Sequence, residues 1–204
     1  MLAFFRPDLA PREVERRDAG INPSSSVFEP ITNGEPADTA IVTGPSGTGN
    51  TCISQFVTER LRKEILDIEA TYINCWRNYT RFRTLYQILD DLGATIDIHR
   101  QSTPHDELVD RIQQYDGPRT VVILDEVDQL EDPSVIYDLH SLPQFAIICI
   151  ADKQRELFSR VEGRLVSRLR SSEHIQVDKY HDDQLYDILS ARAKIGARRG
   201  RHYR

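Results

Sequence analysis

The sequence predicts an α/β fold with a five-stranded parallel sheet and helices on both of its faces. Short apolar runs alternate with segments of helical period along most of the chain, which is the pattern of strand-helix-strand units. Two of these runs, at 121–124 (VVIL) and 145–151 (FAIICIA), are apolar at every position, as in strands buried on both faces of a parallel sheet. The 204 residues, 39% of them hydrophobic, are enough to bury one sizeable core. We therefore expect one main domain.

The predicted elements follow in a regular order along the predicted core at 39–178 and into the segment that follows it. Strands are predicted at 39–44, 70–75, 119–126, 144–151 and 173–178. Helices are predicted at 50–66, 80–93, 104–117, 132–140 and 181–196, and two of them stop at Gly93 and Gly117. The helix at 80–93 carries an apolar face of Phe82, Leu85, Ile88, Leu89 and Leu92. Residues 1–38, rich in proline, serine and charge, form a lead-in before this core.

The composition excludes several classes of protein. The net charge is −6, and only four of the 26 basic residues are lysines, a balance typical of a salt-adapted cytosol, although drift in an arginine-favouring genome gives the same balance. Cys52, Cys75 and Cys149 show no C-x-x-C spacing, so neither a metal site nor a disulfide framework is predicted. No apolar run reaches the ~20 residues that span a bilayer, and the N-terminus lacks the pattern of a secretory signal. We expect a cytoplasmic protein with no membrane contact.

A glycine-rich turn, GPSGTGNT at 44–51, joins the first strand to the first helix. It follows the phosphate-binding pattern G-x-x-x-x-G-K-[ST], except that Asn50 replaces the lysine and with it a positive charge aimed at the outer phosphates. Backbone N–H groups of such a turn and of the helix N-terminus can still bind phosphate oxygens, and the hydroxyl of Thr51 would hold Mg²⁺. The pattern predicts ATP or ADP as the ligand, and the predicted contact residues are Gly44, Pro45, Ser46, Gly47, Thr48, Gly49, Asn50, Thr51 and Cys52. The alternative is a turn that needs glycine for backbone reasons alone.

An acidic pair, Asp125 and Glu126, follows the apolar run at 121–124. In open α/β sheets ligands bind at the carboxyl ends of the strands, where this pair falls. An aspartate there can orient Mg²⁺ or its waters, and the adjacent glutamate can accept a proton from the attacking water. Alone, such a pair could equally be a solvated turn. Because it follows a phosphate-binding turn with one strand between them, it predicts metal-assisted hydrolysis of the terminal phosphate.

Several motifs together resemble the AAA+ ATPases, and within them the archaeal origin-recognition and cell-division-control replication initiators. GPSGTGNT is similar to that family's usual GPSGTGKT, while YINC and VVILDEVDQL resemble the end of its second strand and its Walker B motif. RLVSRL and VDKYHDDQLYDIL resemble the stretch that joins the core to the lid domain. The resemblance runs from Pro11 to Ala193. It implies a P-loop NTPase fold, ATP or ADP with Mg²⁺, and a role in initiating DNA replication.

The resemblance also implies roles for three further residues. Asp152 falls where the family has a sensor asparagine that orients the attacking water, and the extra negative charge of an aspartate would weaken hydrolysis. The other reading of Asp152 is a helix N-cap. Arg164 and Arg168 fall where such ATPases place an arginine finger, a guanidinium that stabilises the transferred phosphate in a neighbouring subunit, and Arg168 is favoured. An ordinary solvated basic helix face is the alternative for both arginines.

The resemblance implies double-stranded origin DNA as a partner, bound through a helical insertion after the second strand and through a C-terminal winged helix. The stretch WRNYTRFR at 76–83 interleaves Arg77, Arg81 and Arg83 with aromatic residues, a composition that suits a phosphate backbone or a groove. In the alternative, Phe82 belongs to the core and the arginines face solvent. Other initiator subunits or the replicative helicase are the further partners that the resemblance implies.

The chain is shorter than the family pattern. Family members continue through a lid domain and a winged helix, whereas this sequence ends soon after DILSARAKIG with a basic tail. We therefore expect the start of a truncated lid at 179–204 and no winged helix. Three hypotheses follow: a nucleotide-dependent initiator with weak hydrolysis, a non-catalytic degenerate paralogue that assembles with intact initiators, and a truncated gene product. Because Asn50 and Asp152 both depart from the family pattern, the sequence leaves ATPase activity open.

Overall fold

Five strands and five helices make up the described part of the chain. The computed structural model describes residues 39–45, 50–51, 68–95, 98, 103–161 and 163–177. The strands are β1 (Thr39–Thr43), β2 (Ile68–Asn74), β3 (Arg119–Asp125), β4 (Phe145–Ala151) and β5 (Glu173–Gln176). The helices are α1 (Arg81–Asp91), α2 (His105–Gln113), α3 (Ser134–His140), α4 (Gln154–Arg160) and α5 (Gly163–Ser171), with a 3₁₀ turn at Val127–Gln129. Asn50 and Thr51 also have helical backbone, at the start of the helix predicted for 50–66.

The five strands pair in parallel in one sheet, in the order β2-β3-β4-β1-β5. This confirms the α/β fold with a five-stranded parallel sheet. β1 lies between β4 and β5, and its Val42 is in register with Ile150 and Ile175. Because the strands are parallel, their carboxyl ends share one edge of the sheet. Residues that follow β1, β3 and β4 are therefore brought to the same edge.

The sheet is buried on both faces, which explains why its central strands are apolar throughout. All seven residues of β4 are buried, and alternate residues of β3 belong to two separate clusters of buried side chains. Helix α1 packs on one of these clusters with the face that its sequence predicts. Leu85, Ile88 and Leu89 are fully buried there, and Phe82 and Leu92 are partly buried. Full burial of one such aliphatic side chain stabilises the fold by about 1.5–3 kcal/mol.

Helix α1 ends where the sequence predicts, whereas α2 is shorter than predicted. Gly93 follows α1 with a φ of 71°, a left-handed conformation that glycine adopts without the strain a β-carbon causes. Helix α2 ends at Gln113, so the predicted stop at Gly117 is wrong. The reason is Tyr115, which leaves the helix and packs its ring against Phe145 with centroids 5.7 Å apart.

Some predicted features fall outside the described residues. The lead-in at 1–38 and the start of a lid at 179–204 are among them, so the domain bounds stay predictions. Two cysteines lie within the described part: Cys75 and Cys149 are buried free thiols, and burial raises the pKa of Cys149 to about 12. No helix in the described ranges is long and apolar enough to cross a membrane.

Candidate nucleotide-binding site

The glycine-rich turn starts at the carboxyl edge of the sheet, next to the end of β4. The N–H of Gly44 donates to the carbonyl oxygen of Ala151 at 3.4 Å. Asn50 is only 8% exposed, and its Nδ2 donates to the carbonyl oxygen of Gly44 at 2.8 Å. The neutral side chain at the lysine position thus binds back to the first residue of the turn. Outside the described part lie the predicted contact residues Ser46, Gly47, Thr48, Gly49 and Cys52 and the side chain of Arg164.

Asp125, the last residue of β3, is buried at the same edge and accepts three hydrogen bonds. It is 6% exposed. Its Oδ2 accepts the hydroxyl of Thr51 at 2.7 Å and the phenol of Tyr72 at 2.5 Å, while its Oδ1 accepts the backbone N–H of Glu126 at 3.1 Å. Thr51 and Asp125, the two residues predicted to hold Mg²⁺, are therefore in contact although they lie 74 positions apart in the sequence.

Tyr72 reaches this site from β2 and was not among the predicted site residues. Burial, reinforced by the hydrogen bond to Asp125, raises the pKa of Tyr72 above its ordinary value, so the phenol remains a hydrogen-bond donor. Tyr72 is followed two residues later by Asn74, which is in register with Asp125. The two-residue alternation of a strand places both polar side chains on one face of β2. Two polar residues with this spacing at the carboxyl end of a strand are the signal that could have identified them.

Glu126, the predicted general base, has an unusual backbone conformation. Its φ of 55° lies in the left-handed region, and it is the one non-glycine residue with positive φ in the described ranges. Its Oε2 accepts Nδ2 of Asn74 at 3.2 Å. Asn74 in turn accepts the backbone N–H of Arg77 through Oδ1 at 3.1 Å. The carboxylate of Glu126 is thus hydrogen-bonded to the end of β2.

The left-handed backbone at Glu126 predicts that glycine is more stable there than glutamate. A side chain in this region is strained by about 1–2 kcal/mol, and the greater freedom of glycine in the unfolded chain offsets about 0.5–1 kcal/mol of the gain. We expect Glu126→Gly to raise the free energy of unfolding by about 0.5–1 kcal/mol in urea denaturation. Gln129→Gly, at the last residue of the 3₁₀ turn, is the matched control and should be destabilised. If the two substitutions lower the free energy of unfolding by the same amount, Glu126 is not strained.

Asp152 follows β4 at the same edge and is exposed. Partial desolvation and the negative charges of Asp128 and Glu156 raise the pKa of Asp152 above its usual range. Lys153 acts in the opposite direction, but its ammonium pairs with Glu156 at 2.6 Å. The reading of Asp152 as a helix N-cap is wrong, because Lys153 holds the N-cap position of α4 and no side chain caps that helix. The sensor role of Asp152 stays a prediction.

Two arginines of α4 and α5 contact other parts of the domain. Arg168, the predicted finger, is exposed, and its Cζ lies 5.1 Å from the centroid of the Tyr137 ring on α3. Arg160 was not among the predicted site residues. Its guanidinium donates to the carbonyl oxygens of Asp128 and Leu130 and so holds the turn that follows the acidic pair.

The segment at 76–83 divides into an exposed part and a packed part. The side chains of Trp76 and Tyr79 are 67% and 44% exposed. Arg81 instead pairs with Asp138 of α3 at 2.8 Å, and Phe82 packs against the core. The alternative is therefore correct for Phe82, which packs against the core, but wrong for Arg81, whose guanidinium is paired and does not simply face solvent. The aromatic side chains that could contact a partner are those of Trp76 and Tyr79.

Comparison with known proteins identifies the family. A family model described as an AAA domain matches residues 35–159, a range that includes the glycine-rich turn, the acidic pair and Asp152. The chain belongs to the AAA domain family.

Relatives of this AAA domain are replication proteins. It is 80% identical over 192 residues to the ORC1-type DNA replication protein 9 of Halobacterium salinarum, an alignment that covers 94% of this chain and 54% of that relative. This confirms the resemblance to archaeal origin-recognition and cell-division-control initiators. The chain spans about half the length of that relative.

Two solved structures from Aeropyrum pernix share the fold of the AAA domain. One is the ORC1 protein in complex with DNA, with a TM-score of 0.75, 24% identity and coverage of 92% of this chain and 52% of that chain. The other is the ORC2 protein in ADPNP-ADP complexes, with a TM-score of 0.70, 19% identity and coverage of 88% and 52%. At these identities the likeness establishes the fold alone.

The side chains around Asp125 fit a magnesium ion in an AAA domain. Mg²⁺ prefers oxygen ligands and usually takes only one or two carboxylates from the protein, the remainder being phosphate and water. The carboxylate of Asp125 and the hydroxyl of Thr51 are such ligands, and they meet at the sheet edge where the glycine-rich turn begins. The donor set therefore suits Mg²⁺ that arrives with a nucleotide.

Proposed function

We propose that this AAA domain binds ATP or ADP together with Mg²⁺, and that nucleotide binding, more than hydrolysis, sets its state during the initiation of DNA replication. The observation that carries the proposal is the contact between Thr51 and Asp125. It joins the end of the phosphate-binding motif to the end of β3, at the edge where open α/β sheets bind ligands. The relatives support it, because one is an ORC1-type replication protein and a similar structure is described as an ADPNP-ADP complex.

Each part of the site has a defined task in this proposal. The backbone N–H groups of the turn at 44–49 and of the following helix bind phosphate oxygens. Thr51 and Asp125 hold Mg²⁺, which when bound neutralises charge on the outer phosphates. Glu126 accepts a proton from the attacking water. Arg168 acts as a finger towards the nucleotide of a neighbouring subunit.

Three features support slow hydrolysis. Asn50 brings no charge to the phosphates, and its amide is hydrogen-bonded to the carbonyl oxygen of Gly44. Glu126 accepts a hydrogen bond from Nδ2 of Asn74 on Oε2, which holds the carboxylate towards the end of β2 and competes with the attacking water for it. Asp152 adds a negative charge at the edge where the terminal phosphate would lie. Each feature affects hydrolysis more than it affects the backbone contacts that bind phosphate.

A nucleotide titration tests this proposal. Fluorescent ATP and ADP are titrated into the natural chain in molar potassium chloride, once with excess Mg²⁺ and once with EDTA. We expect binding with Mg²⁺, weaker binding with EDTA, and little product in a single-turnover assay. Failure to bind either nucleotide under both conditions would refute nucleotide binding. Rapid turnover would refute the proposed balance between binding and hydrolysis.

We also propose that the exposed end of the 76–83 segment contacts duplex DNA. Trp76 and Tyr79 lie on the surface with Arg77, and the guanidinium of Arg83 lies 5.6 Å from the centroid of the Tyr79 ring. Arginines bind phosphates, and exposed aromatic rings can press into a groove. The A. pernix ORC1 protein, which shares this fold, has a structure in complex with DNA. Origin DNA is accordingly the proposed partner of the chain.

We expect Arg77→Ala to weaken binding of duplex DNA by a similar factor for every sequence and to reduce the slope of log affinity against log salt by about 1, because a phosphate contact is lost. Fluorescence anisotropy of a labelled duplex over a salt series measures both quantities. Arg111→Ala is the matched control, since Arg111 lies on α2 and pairs with Glu107 at 3.1 Å. If both variants bind DNA equally well, the segment is not the contact surface.

A second candidate function is a non-catalytic subunit that assembles with intact initiators or with the replicative helicase. The buried, neutral Asn50 favours it, because the turn is held by an amide where a lysine would meet phosphate. This candidate predicts no nucleotide binding in the titration, together with co-elution with an intact initiator in gel filtration. In either candidate the chain acts in the cytoplasm.

A further inference from the structure

Tyr72 contacts the carboxylate of Asp125, which we propose as a metal ligand, from the edge strand of the sheet. It lies on β2, at the end of the order β2-β3-β4-β1-β5, and its backbone pairs with Ile123 two residues before Asp125. The phenol reaches Oδ2 of Asp125 at 2.5 Å. The side chain is 37% exposed, whereas the carboxylate that it contacts is 6% exposed.

The three hydrogen bonds to Asp125 come from three different elements. Thr51 donates from the helix that follows the glycine-rich turn, Tyr72 donates from the sheet, and the N–H of Glu126 comes from the chain just after β3. In the proposed function Thr51 also serves as a ligand of the cation, so its hydroxyl oxygen is shared between the cation and Asp125. The N–H of Glu126 binds only Oδ1. Tyr72 is thus the one side-chain donor to Asp125, among the described residues, that has no other task in the site.

We propose that Tyr72 is a positioning residue for Mg²⁺: its phenol fixes the side-chain angle of Asp125 so that the carboxylate already faces the cation when the nucleotide arrives. The inference rests on the proposed function and names a further residue in the same site. A carboxylate held by one donor on each oxygen resists rotation, and ligands held in place before binding lose less entropy on binding. Without the phenol, Oδ2 keeps only the hydroxyl of Thr51, whose oxygen must also bind the cation.

Tyr72→Phe tests the inference because it removes the hydroxyl and keeps the ring. Partners of metal ligands typically contribute about 10–100-fold to metal affinity. We expect the ratio of ADP affinity in Mg²⁺ to that in EDTA to fall about tenfold in Tyr72→Phe, while the affinity in EDTA stays unchanged. A merely structural role would lower both affinities together and leave their ratio constant.

Tyr115→Phe is the matched control, since it removes a phenol whose ring packs on Phe145 at the amino end of β4. Electron paramagnetic resonance of Mn²⁺ with ADP gives a second measurement, in which Tyr72→Phe should leave more Mn²⁺ free than the natural chain or the control does. An unchanged Mg²⁺ to EDTA ratio in Tyr72→Phe overturns the inference while the proposed function stands. No Mg²⁺ effect in the natural chain itself overturns both, and that result is obtained before any variant is made.

Discussion

Asn50→Lys is expected to bind ATP about tenfold more tightly than the natural chain and to give measurable single-turnover hydrolysis. A hydrogen bond to a charged group is worth about 1.5–3 kcal/mol, and about 1.4 kcal/mol corresponds to a tenfold change in affinity. The natural asparagine supplies no charge, and its amide donates to the carbonyl oxygen of Gly44. The gain should be larger for ATP than for ADP, because the lysine of this motif reaches the outer phosphates.

The control for this substitution is Asn50→Ala, which removes the bond to Gly44 without adding charge. Its affinity for ATP should not rise, because the variant loses the hydrogen bond to Gly44, worth about 0.5–1.5 kcal/mol, and gains no charge. Equal affinities in the lysine and alanine variants would mean that the turn does not bind outer phosphates. The double variant Asn50→Lys with Asp152→Asn should hydrolyse ATP faster than Asn50→Lys alone if Asp152 occupies the sensor position.

Asp125→Asn is expected to abolish most of the effect of Mg²⁺ on nucleotide binding. Among the described residues, Asp125 carries the one carboxylate that contacts Thr51. In metal sites generally, the residues that hydrogen-bond to a metal ligand contribute about 10–100-fold to metal affinity. The ligand itself should contribute at least as much, so we expect the affinity for ADP in Mg²⁺ to fall about a hundredfold. In EDTA the affinity should change little, because backbone N–H groups bind the phosphates. Isothermal titration calorimetry in the two conditions measures both values.

Asp91→Asn is the control for the loss of a carboxylate. Asp91, at the end of α1, also accepts a β2 hydroxyl, that of Thr71, and the amide of Gln87 at 2.8 Å. The Asp91 variant should therefore lose a similar number of hydrogen bonds and keep the full Mg²⁺ effect. If Asp125→Asn keeps it as well, then Mg²⁺ is held elsewhere and the assignment of Thr51 and Asp125 as its ligands fails.

Local patterns in the sequence were sufficient to predict the sheet, the end of α1 and the residues that follow β3. These patterns are the alternation of apolar runs with helical segments, the glycines that end helices and the phosphate-binding motif of eight residues. Each lies within a short stretch of chain, so it can be recognised without knowing which residues are its neighbours in space. The stop of α2 was mispredicted because Tyr115 packs against Phe145, a contact between residues that are distant in sequence. The N-cap reading of Asp152 failed by one position, since Lys153 precedes the helix.

The partners of the acidic pair could not be predicted in the same way. The bonds from Tyr72 to Asp125 and from Asn74 to Glu126 exist because β2 pairs with β3 in a particular register. That register depends on packing between segments about 50 positions apart, and a shift of one residue would turn both side chains to the other face. The bonds of Arg160 go to main-chain oxygens, which no residue type reveals.

The left-handed backbone of Glu126 sets the stability of the fold against the acid that the proposed chemistry uses. Glycine and asparagine adopt a left-handed backbone with less strain than glutamate does, so nothing in the local backbone calls for an acid here. Residues held in strained conformations cluster at functional sites, so an acid at this position fits the role in hydrolysis that we propose for Glu126. Stability and the proposed chemistry thus place opposite demands on position 126.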